Sequence, residues 1–459
     1  MRAFFGKTVG IDDIATYVPK IYLDAEEMAE ARGIPPGKLT KGLGIEKLSI
    51  PDAHEDASTM AAMAALMLME KNDLQPREID FIHVATETGP DAAKPISCYV
   101  QGMLEQRYGA GSLDHVGAPE TKFACVGATY AMIDRLAYIA SGWNRAKYSI
   151  VVGTDIAKYE LNSSGEPTQG AAAIALLLKE DPRLLAYEPR FTGFGTVDDK
   201  DFFRPIERAT AVVNGQYSIG CYLRDMRIAV DAYRRNMQEI GALEPSQESL
   251  VDKIGLASFH SPFPKMVLYA FGDFLIHDWR RLPRWKKIAE GIGPEPGREG
   301  LTDVEYYISE GHKNYRKNFM ETKEFTEEYQ SKVADSLTAL SLIGNSYTAS
   351  VWLGAASHFE TRHDDLGGKR FGIGSYGSGS SAIVCSFIVQ TDYRRVASRI
   401  RLIEKLNQRK RISIKEYEDL HEGRLKLDES VMPPRKEFAL DNIGKEINDY
   451  GYRYYRYAE

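Results

Sequence analysis

Cys125 stands between small residues in the stretch Phe123-Ala-Cys-Val-Gly-Ala-Thr-Tyr-Ala131. Directly after it, Ala131 to Ala140 spaces its apolar residues as a helix does, which puts the cysteine at or near a helix N-terminus. Unpaired N–H groups and the positive dipole end favour a thiolate there, and small neighbours leave a substrate room at the sulfur. Taken alone these residues carry two readings, a nucleophile or a buried cysteine acting as a small hydrophobe. Glu87 ends the apolar run Ile79-Asp-Phe-Ile-His-Val-Ala-Thr86, and His260 ends Ile254-Gly-Leu-Ala-Ser-Phe259. A polar side chain where a buried strand runs out is a usual place for chemistry in layered α/β folds. The other readings are a solvent-facing turn residue for Glu87 and a satisfied structural histidine for His260.

The elements that must hold these residues alternate between strand and helix. Val9 to Val18, Ile79 to Thr86, Tyr148 to Asp155 and Gly170 to Leu178 read as strands, the third ending in an acid. Asp56 to Glu70 is a Met- and Ala-rich helix without a polar face, a pattern for a helix sandwiched between layers, its methionines core rather than ligands. Lys94 to Tyr108, Ser218 to about Ile240 and Thr326 to Leu342 read as further helices. Lys369 to Ser375 and Ser380 to Gln390 read as two strands around the tight turn Tyr376-Gly-Ser-Gly379. Lys41-Gly-Leu-Gly-Ile-Glu46 is a turn or a phosphate cradle, and Glu180 to Asn214 reads as irregular.

Composition narrows the function classes. At 459 residues, with 43% hydrophobic and 27% charged residues, the chain has the make-up of a multi-domain globular protein. A net charge of −7 gives no general pull toward nucleic acid or anionic membrane. The four cysteines are scattered without a CxxC pair, so neither a zinc site nor a disulfide framework is indicated, and a reducing, cytoplasmic setting is expected. No apolar run is long enough to cross a bilayer. The basic stretch from Arg394 to Arg411 reads as a solvated helix face, and the aromatics of Tyr450 to Tyr457 read as a dock for the tail.

The two halves echo each other. Each has a strand ending on a polar residue (Glu87, His260), a small-residue turn opening a helix (Cys125, Asn345), a strand reaching a glycine (Gly153, Gly374) and a final strand. Cys125 to Gly153 spans 28 residues, and Asn345 to Gly374 spans 29. Strands alternating with helices imply a mixed sheet covered on both faces, made twice. Matching positions would converge between the halves, which makes Glu87, Cys125, His260 and Asn345 candidates for one site.

Five motifs in this order, ATET (85–88), FACVGAT (123–129), FHSPFPK (259–265), GNSYTAS (344–350) and SYGSG (375–379), resemble the hydroxymethylglutaryl-CoA synthases of the thiolase superfamily. The resemblance covers roughly residues 8 to 420 and is greatest to archaeal members. It departs after the nucleophile, with Ala-Cys-Val-Gly where many relatives have Ala-Cys-Tyr. The fold it implies is a duplicated thiolase-like α/β fold, layered αβαβα with two mixed five-stranded sheets. The expected halves are residues 1–190, with Glu and Cys, and 191–395, with His and Asn and a charged insertion at about 280–324. A helical tail over 396–459 follows.

The activity implied is condensation of acetyl-CoA with acetoacetyl-CoA and water to 3-hydroxy-3-methylglutaryl-CoA and CoA, in mevalonate and isoprenoid supply. The family's catalytic residues carry over to Glu87, Cys125 and His260, and its acyl and CoA contacts to Thr168, Ser218, Lys265, Asn345 and Ser378. The oxyanion donors would be backbone N–H groups of Cys125 and the turn at Ser378. No metal and no cofactor beyond the CoA thioesters is expected. A homodimer is expected, and a complex with acetoacetyl-CoA thiolase is possible. Alternatives are a polyketide β-branching synthase or an initiating ketoacyl synthase using carrier-protein substrates, and, in a different class, a non-catalytic scaffold.

Overall fold

Ten strands form one mixed sheet in this computed structural model, which describes residues 6–208, 210–244 and 248–459. In the N-terminal half, Glu120–Thr121, Ile79–Ala85 and Tyr148–Ile156 run parallel, followed by antiparallel Ala171–Glu180 and Val9–Tyr17. The C-terminal half repeats the pattern. Leu256–Phe259 runs parallel to Arg370–Gly377, which pairs antiparallel with Ser381–Val389, itself antiparallel to Leu185–Tyr187 and Gly193–Thr196. The registers correspond, with Ala85 opposite Gly153 and Phe259 opposite Gly374. The duplication is therefore present in the strands that carry the site, Glu120–Thr121 being an addition at the N-terminal edge.

Two differences from expectation follow from Leu185–Tyr187. It pairs with Val9–Tyr17 on one side and Ser381–Val389 on the other, so hydrogen bonding runs unbroken where two separate sheets were expected. It also lies, with Gly193–Thr196, in a stretch that reads as irregular. Gly193 and Gly195 hide the strand pattern because a Cβ at either would meet the backbone of the long helix Gly215–Glu239 at 2.2 and 2.5 Å.

Helices cover the sheet on both faces. Ala57–Lys71 packs on the N-terminal strands with twelve of its fifteen residues buried, including Met60, Met63 and Met69. Its start is fixed by a capping box between Asp56 and Thr59. On the other face lies Gly127–Ala140, which meets its counterpart Ser350–Thr361 through a Trp352 Nε1–Thr129 Oγ1 hydrogen bond of 3.2 Å. Gly215–Glu239 covers the C-terminal strands from outside. The insertion is helical over Arg284–Ile292, Asp303–Ile308 and Glu310–Met320. Among the described residues, no helix is long and apolar enough to cross a membrane.

The tail is not the helical segment expected. It holds short helices, a strand Lys410–Ile412 parallel to Ile21–Asp24, and a terminal hairpin of Glu437–Ile443 and Arg453–Ala458. The tyrosine-rich stretch from Arg453 to Tyr457 suits a strand, its exposure alternating along the chain, and Tyr455 and Tyr457 pack on Tyr99 and Phe438. The basic stretch is not simply a solvated face either. Lys405 Nζ reaches Thr16 O at 2.6 Å, and buried Arg409 bonds Ser49 Oγ and Leu342 O.

Candidate active site

A cavity of about 1250 Å³ brings the two halves' motifs together. Cys125, His260 and Asn345 line it, as do Thr168, Ser218, Lys265 and Ser378. Glu87 stands next to the nucleophile, with the Cys125 thiol directed at its Oε1 at 3.8 Å.

Cys125 sits on a short 3-10 turn, Ala124–Val126, that runs into the helix Gly127–Ala140. Ala124 has φ 37° and so turns the chain sharply before the sulfur. The second half makes the same turn over Tyr347–Ala349, with Tyr347 at φ 44°. The structural counterpart of Cys125 is thus Thr348, and Asn345 lies three residues upstream. The two turns are stitched together, for Ala128 N–H donates to Thr348 Oγ1 at 2.7 Å.

The sulfur is buried among Ala157, Tyr159 and Tyr347, with Phe202, Ala211 and Val213 packed above. Burial first, then the charges of Glu87, Asp155 and Asp201, push the thiol pKa well above its usual value. The helix N-terminus therefore does not produce a resting thiolate, and the proton stays on sulfur. Burial, with the charge of Asp155 next, likewise raises Glu87, against a smaller opposing effect of Arg204. The Arg204 guanidinium donates to the Glu87 backbone carbonyl.

Asp155, fully buried, organises the Glu87 loop. Its Oδ1 accepts from Thr86 Oγ1 at 2.8 Å, Glu87 N at 2.9 Å and Thr88 Oγ1 at 2.8 Å, while its Oδ2 accepts from Thr348 N at 3.2 Å. Burial raises its pKa to about 6. The sequence marks it only as an acid ending a strand.

His260 follows Phe259, and its N–H donates to Gly374 O at 2.8 Å. Burial pushes its imidazole down to about 3, so it is neutral. Ser350 Oγ accepts from Ser261 N at 3.1 Å and lies 2.7 Å from His260 Nδ1. The hydroxyl hydrogen has no other acceptor among the described residues and points to Nδ1, which assigns the ring proton to Nε2. Ser350 belongs to the GNSYTAS motif, but nothing in its type distinguishes it from a helix-start serine.

Asp201 holds the opposite wall. It accepts from Ser218 Oγ at 2.9 Å, Tyr376 OH at 2.8 Å and Gly379 N at 2.9 Å. Gly379 N–H is therefore occupied, whereas the N–H groups of Cys125 and Ser378 have no acceptor among the described residues. Gly377 lets this turn press on the nucleophile turn, since a Cβ there would lie 2.7 Å from Val126 N. The Lys41 segment is a helical turn over Lys38–Leu43, and Gly44 packs against Pro264 beside Lys265.

The doubled sheet, with a cysteine at a helix start in one half and a histidine at a strand end in the other on one cavity, defines an acyl-transferring enzyme of thiolase-like fold. Family models agree in kind, matching the hydroxymethylglutaryl-coenzyme A synthase N-terminal region over residues 5–182 and the C-terminal region over 187–439. The hydroxymethylglutaryl-CoA synthase of Haloferax volcanii is 34% identical over 97% of this chain and 99% of its own. That of Enterococcus faecalis is 28% identical over 96% of this chain and 99% of its own. A solved structure of MvaS in complex with 3-hydroxy-3-methylglutaryl coenzyme A superposes with TM-score 0.83 at 33% identity, covering 99% of this chain and all of that one. The curacin-pathway HMG synthase, at 21% identity and TM-score 0.79, shares the fold, covering 98% of this chain and all of that one. The chain belongs to the hydroxymethylglutaryl-CoA synthase family. It is an acyltransferase that condenses acetyl-CoA with acetoacetyl-CoA.

Proposed function

We propose that Cys125, Glu87 and His260 carry this condensation through an acetyl-cysteine. The observation that carries the assignment is the Cys125 thiol directed at Glu87 Oε1, 3.8 Å away, on a cavity that His260 and Asn345 enter from the other half. The Cys125 sulfur attacks the carbonyl of acetyl-CoA, its proton passes to the departing CoA sulfur, and CoA leaves as the thiol. Glu87, once ionised, takes a proton from the methyl of acetyl-Cys125. The raised pKa that burial gives it makes it a stronger base for this carbon acid.

The enolate oxygen is held by the free N–H groups of Cys125 and Ser378, and losing one such donor typically costs about a hundred- to a thousandfold in rate. The enolate carbon attacks the ketone of acetoacetyl-CoA. Neutral His260 donates a hydrogen bond from Nε2–H to the alkoxide that forms, and protonated Glu87 returns the proton that makes it the alcohol. Water then hydrolyses the thioester to Cys125 and releases 3-hydroxy-3-methylglutaryl-CoA. Nucleophile, base and acid are all side chains, so the sequence calls for no further cofactor.

Thr168, Ser218, Lys265, Asn345 and Ser378 border the cavity and are assigned the acyl and CoA contacts. Lys265, joined in the cavity lining by Lys313 and Lys317 of the insertion, suits the CoA phosphates. A homodimer is favoured by the open outer edge of Glu120–Thr121 and the stacked rings of Phe123, Tyr130 and Phe194 nearby, the last 46% exposed. Four free cysteines favour a reducing, cytoplasmic compartment.

The test is transfer of label from acetyl-CoA to protein, read beside CoA release with acetoacetyl-CoA. Cys125→Ala is expected to take no label, and Glu87→Ala to be labelled yet release no product. Retained label in the first, or normal condensation in the second, overturns the assignment.

A further inference from the structure

The tail helix Ile414–His421 lies far in sequence from every motif of the site, yet it grips one residue beside the nucleophile. Tyr159 packs on Cys125 and Tyr347. Its backbone N–H donates to Gln169 Oε1 at 2.7 Å. Gln169 is held in turn by the tail, for its Nε2 donates to Tyr417 OH at 2.6 Å. Tyr417 OH donates onward to Glu166 Oε1 at 3.0 Å, and the Glu166 carboxylate is clamped by Arg32 through Nε at 2.9 Å and Nη2 at 2.8 Å. On the other side, the backbone carbonyl of Tyr159 lies 2.8 Å from His421 Nε2. A carbonyl only accepts, so His421 is the donor. Lys158 Nζ closes the loop onto His421 O.

Both backbone polar groups of Tyr159 are thus fixed by the same tail helix, one through Gln169 and one directly. Tyr417, Glu166 and Gln169 are all buried, so each lost partner leaves an unmet polar group rather than a place for water. The same loop reaches the second half through Thr168, whose carbonyl accepts from Asn345 N at 2.9 Å.

We propose that Tyr417 and His421 are positioning residues of the acyl pocket, clamping Tyr159 from both sides so that its ring holds the wall against Cys125. The proposal rests on Cys125 as the acyl acceptor. Ring placement matters because a shift of about 1 Å near a reacting centre can cost up to a hundredfold in rate.

The experiment uses the full chain and single-turnover labelling of Cys125 by acetyl-CoA, with thermal unfolding alongside. Tyr417→Phe and His421→Ala are each expected to slow acetylation about tenfold. His421→Gln, which keeps an N–H donor, is expected to restore most of the rate. The decisive comparison is a Tyr159→Ala background, in which Tyr417→Phe is expected to have no further effect on acetylation. If Tyr417→Phe slows acetylation equally with and without the Tyr159 ring, or lowers only the unfolding temperature, the clamp is structural and the proposal falls. Failure of the unsubstituted protein to take label would instead overturn Cys125 itself.

Discussion

Glu87 and Asp155 share one buried corner, and their mutual repulsion sets when the proposed base is available. Burial and the Asp155 charge both raise Glu87, so fewer Glu87 groups are ionised at a given pH than for a free glutamate. The rate of condensation by acetylated enzyme should therefore rise with pH through a midpoint above the ordinary glutamate value of about 4.3. Asp155→Asn removes the like charge, which lowers the Glu87 pKa and moves that limb to lower pH. A pH–rate profile with its midpoint near 4, or one that Asp155→Asn leaves in place, would refute the coupling. His260 should contribute no limb near neutral pH, since burial holds it to about 3. The residues nominated by motif are legible because their neighbours carry a pattern. Asp155 and Ser350 are not, because what qualifies them is a set of partners far along the chain.

At the scale of elements, the two strained turns are the joint on which the halves meet. Gly377 presses on the first of them, and Gly377→Ala must push back the Val126 N–H that closes the nucleophile turn. A loss of about 1–3 kcal/mol in unfolding free energy is expected from such overpacking. Acetylation should slow at least about tenfold as Cys125 moves. Unfolding titrations and single-turnover labelling of this variant measure both, and wild-type values for either would show that the turn yields without cost. Strand–helix alternation makes the doubling legible from periodicity, yet its register slips from Thr348 to Asn345. The sequence spacing tracks a motif, whereas φ at Ala124 and Tyr347 tracks the turn itself. Strands at 185–196 escape notice for the same reason, because glycines there serve helix packing and erase the alternation. The terminal hairpin hides behind the basic run before it.

Over the whole molecule, the tail closes on the N-terminal half through a buried polar cluster. Tyr17 OH bonds both Glu55 and Glu437, Lys20 Nζ lies 2.7 Å from Glu437, and His54 and Asp52 complete the ring. Burial raises Glu55 from 4.5 to about 7, so the folded state binds its proton more tightly than the unfolded chain does. The contribution of this group to stability is therefore greatest at low pH and is lost as pH rises from about 4.5 through 7, by about 3 kcal/mol at most. Glu55→Gln removes the titration, so its unfolding temperature should gain on that of the unsubstituted protein between pH 5 and 8. Parallel curves would show that Glu55 titrates alike in both states.

The same closure has a consequence for synthesis. Tyr17 and Glu437 lie 420 residues apart. At roughly 5–20 residues per second a ribosome needs about 20 to 80 s to make the second after the first. For all but the end of that interval Ile21–Asp24 lacks Lys410–Ile412, its parallel neighbour. The nascent chain thus carries an open strand edge, a template on which another chain can pair, until that neighbour is made. The strand that blunts that edge leaves the ribosome long after the one it covers.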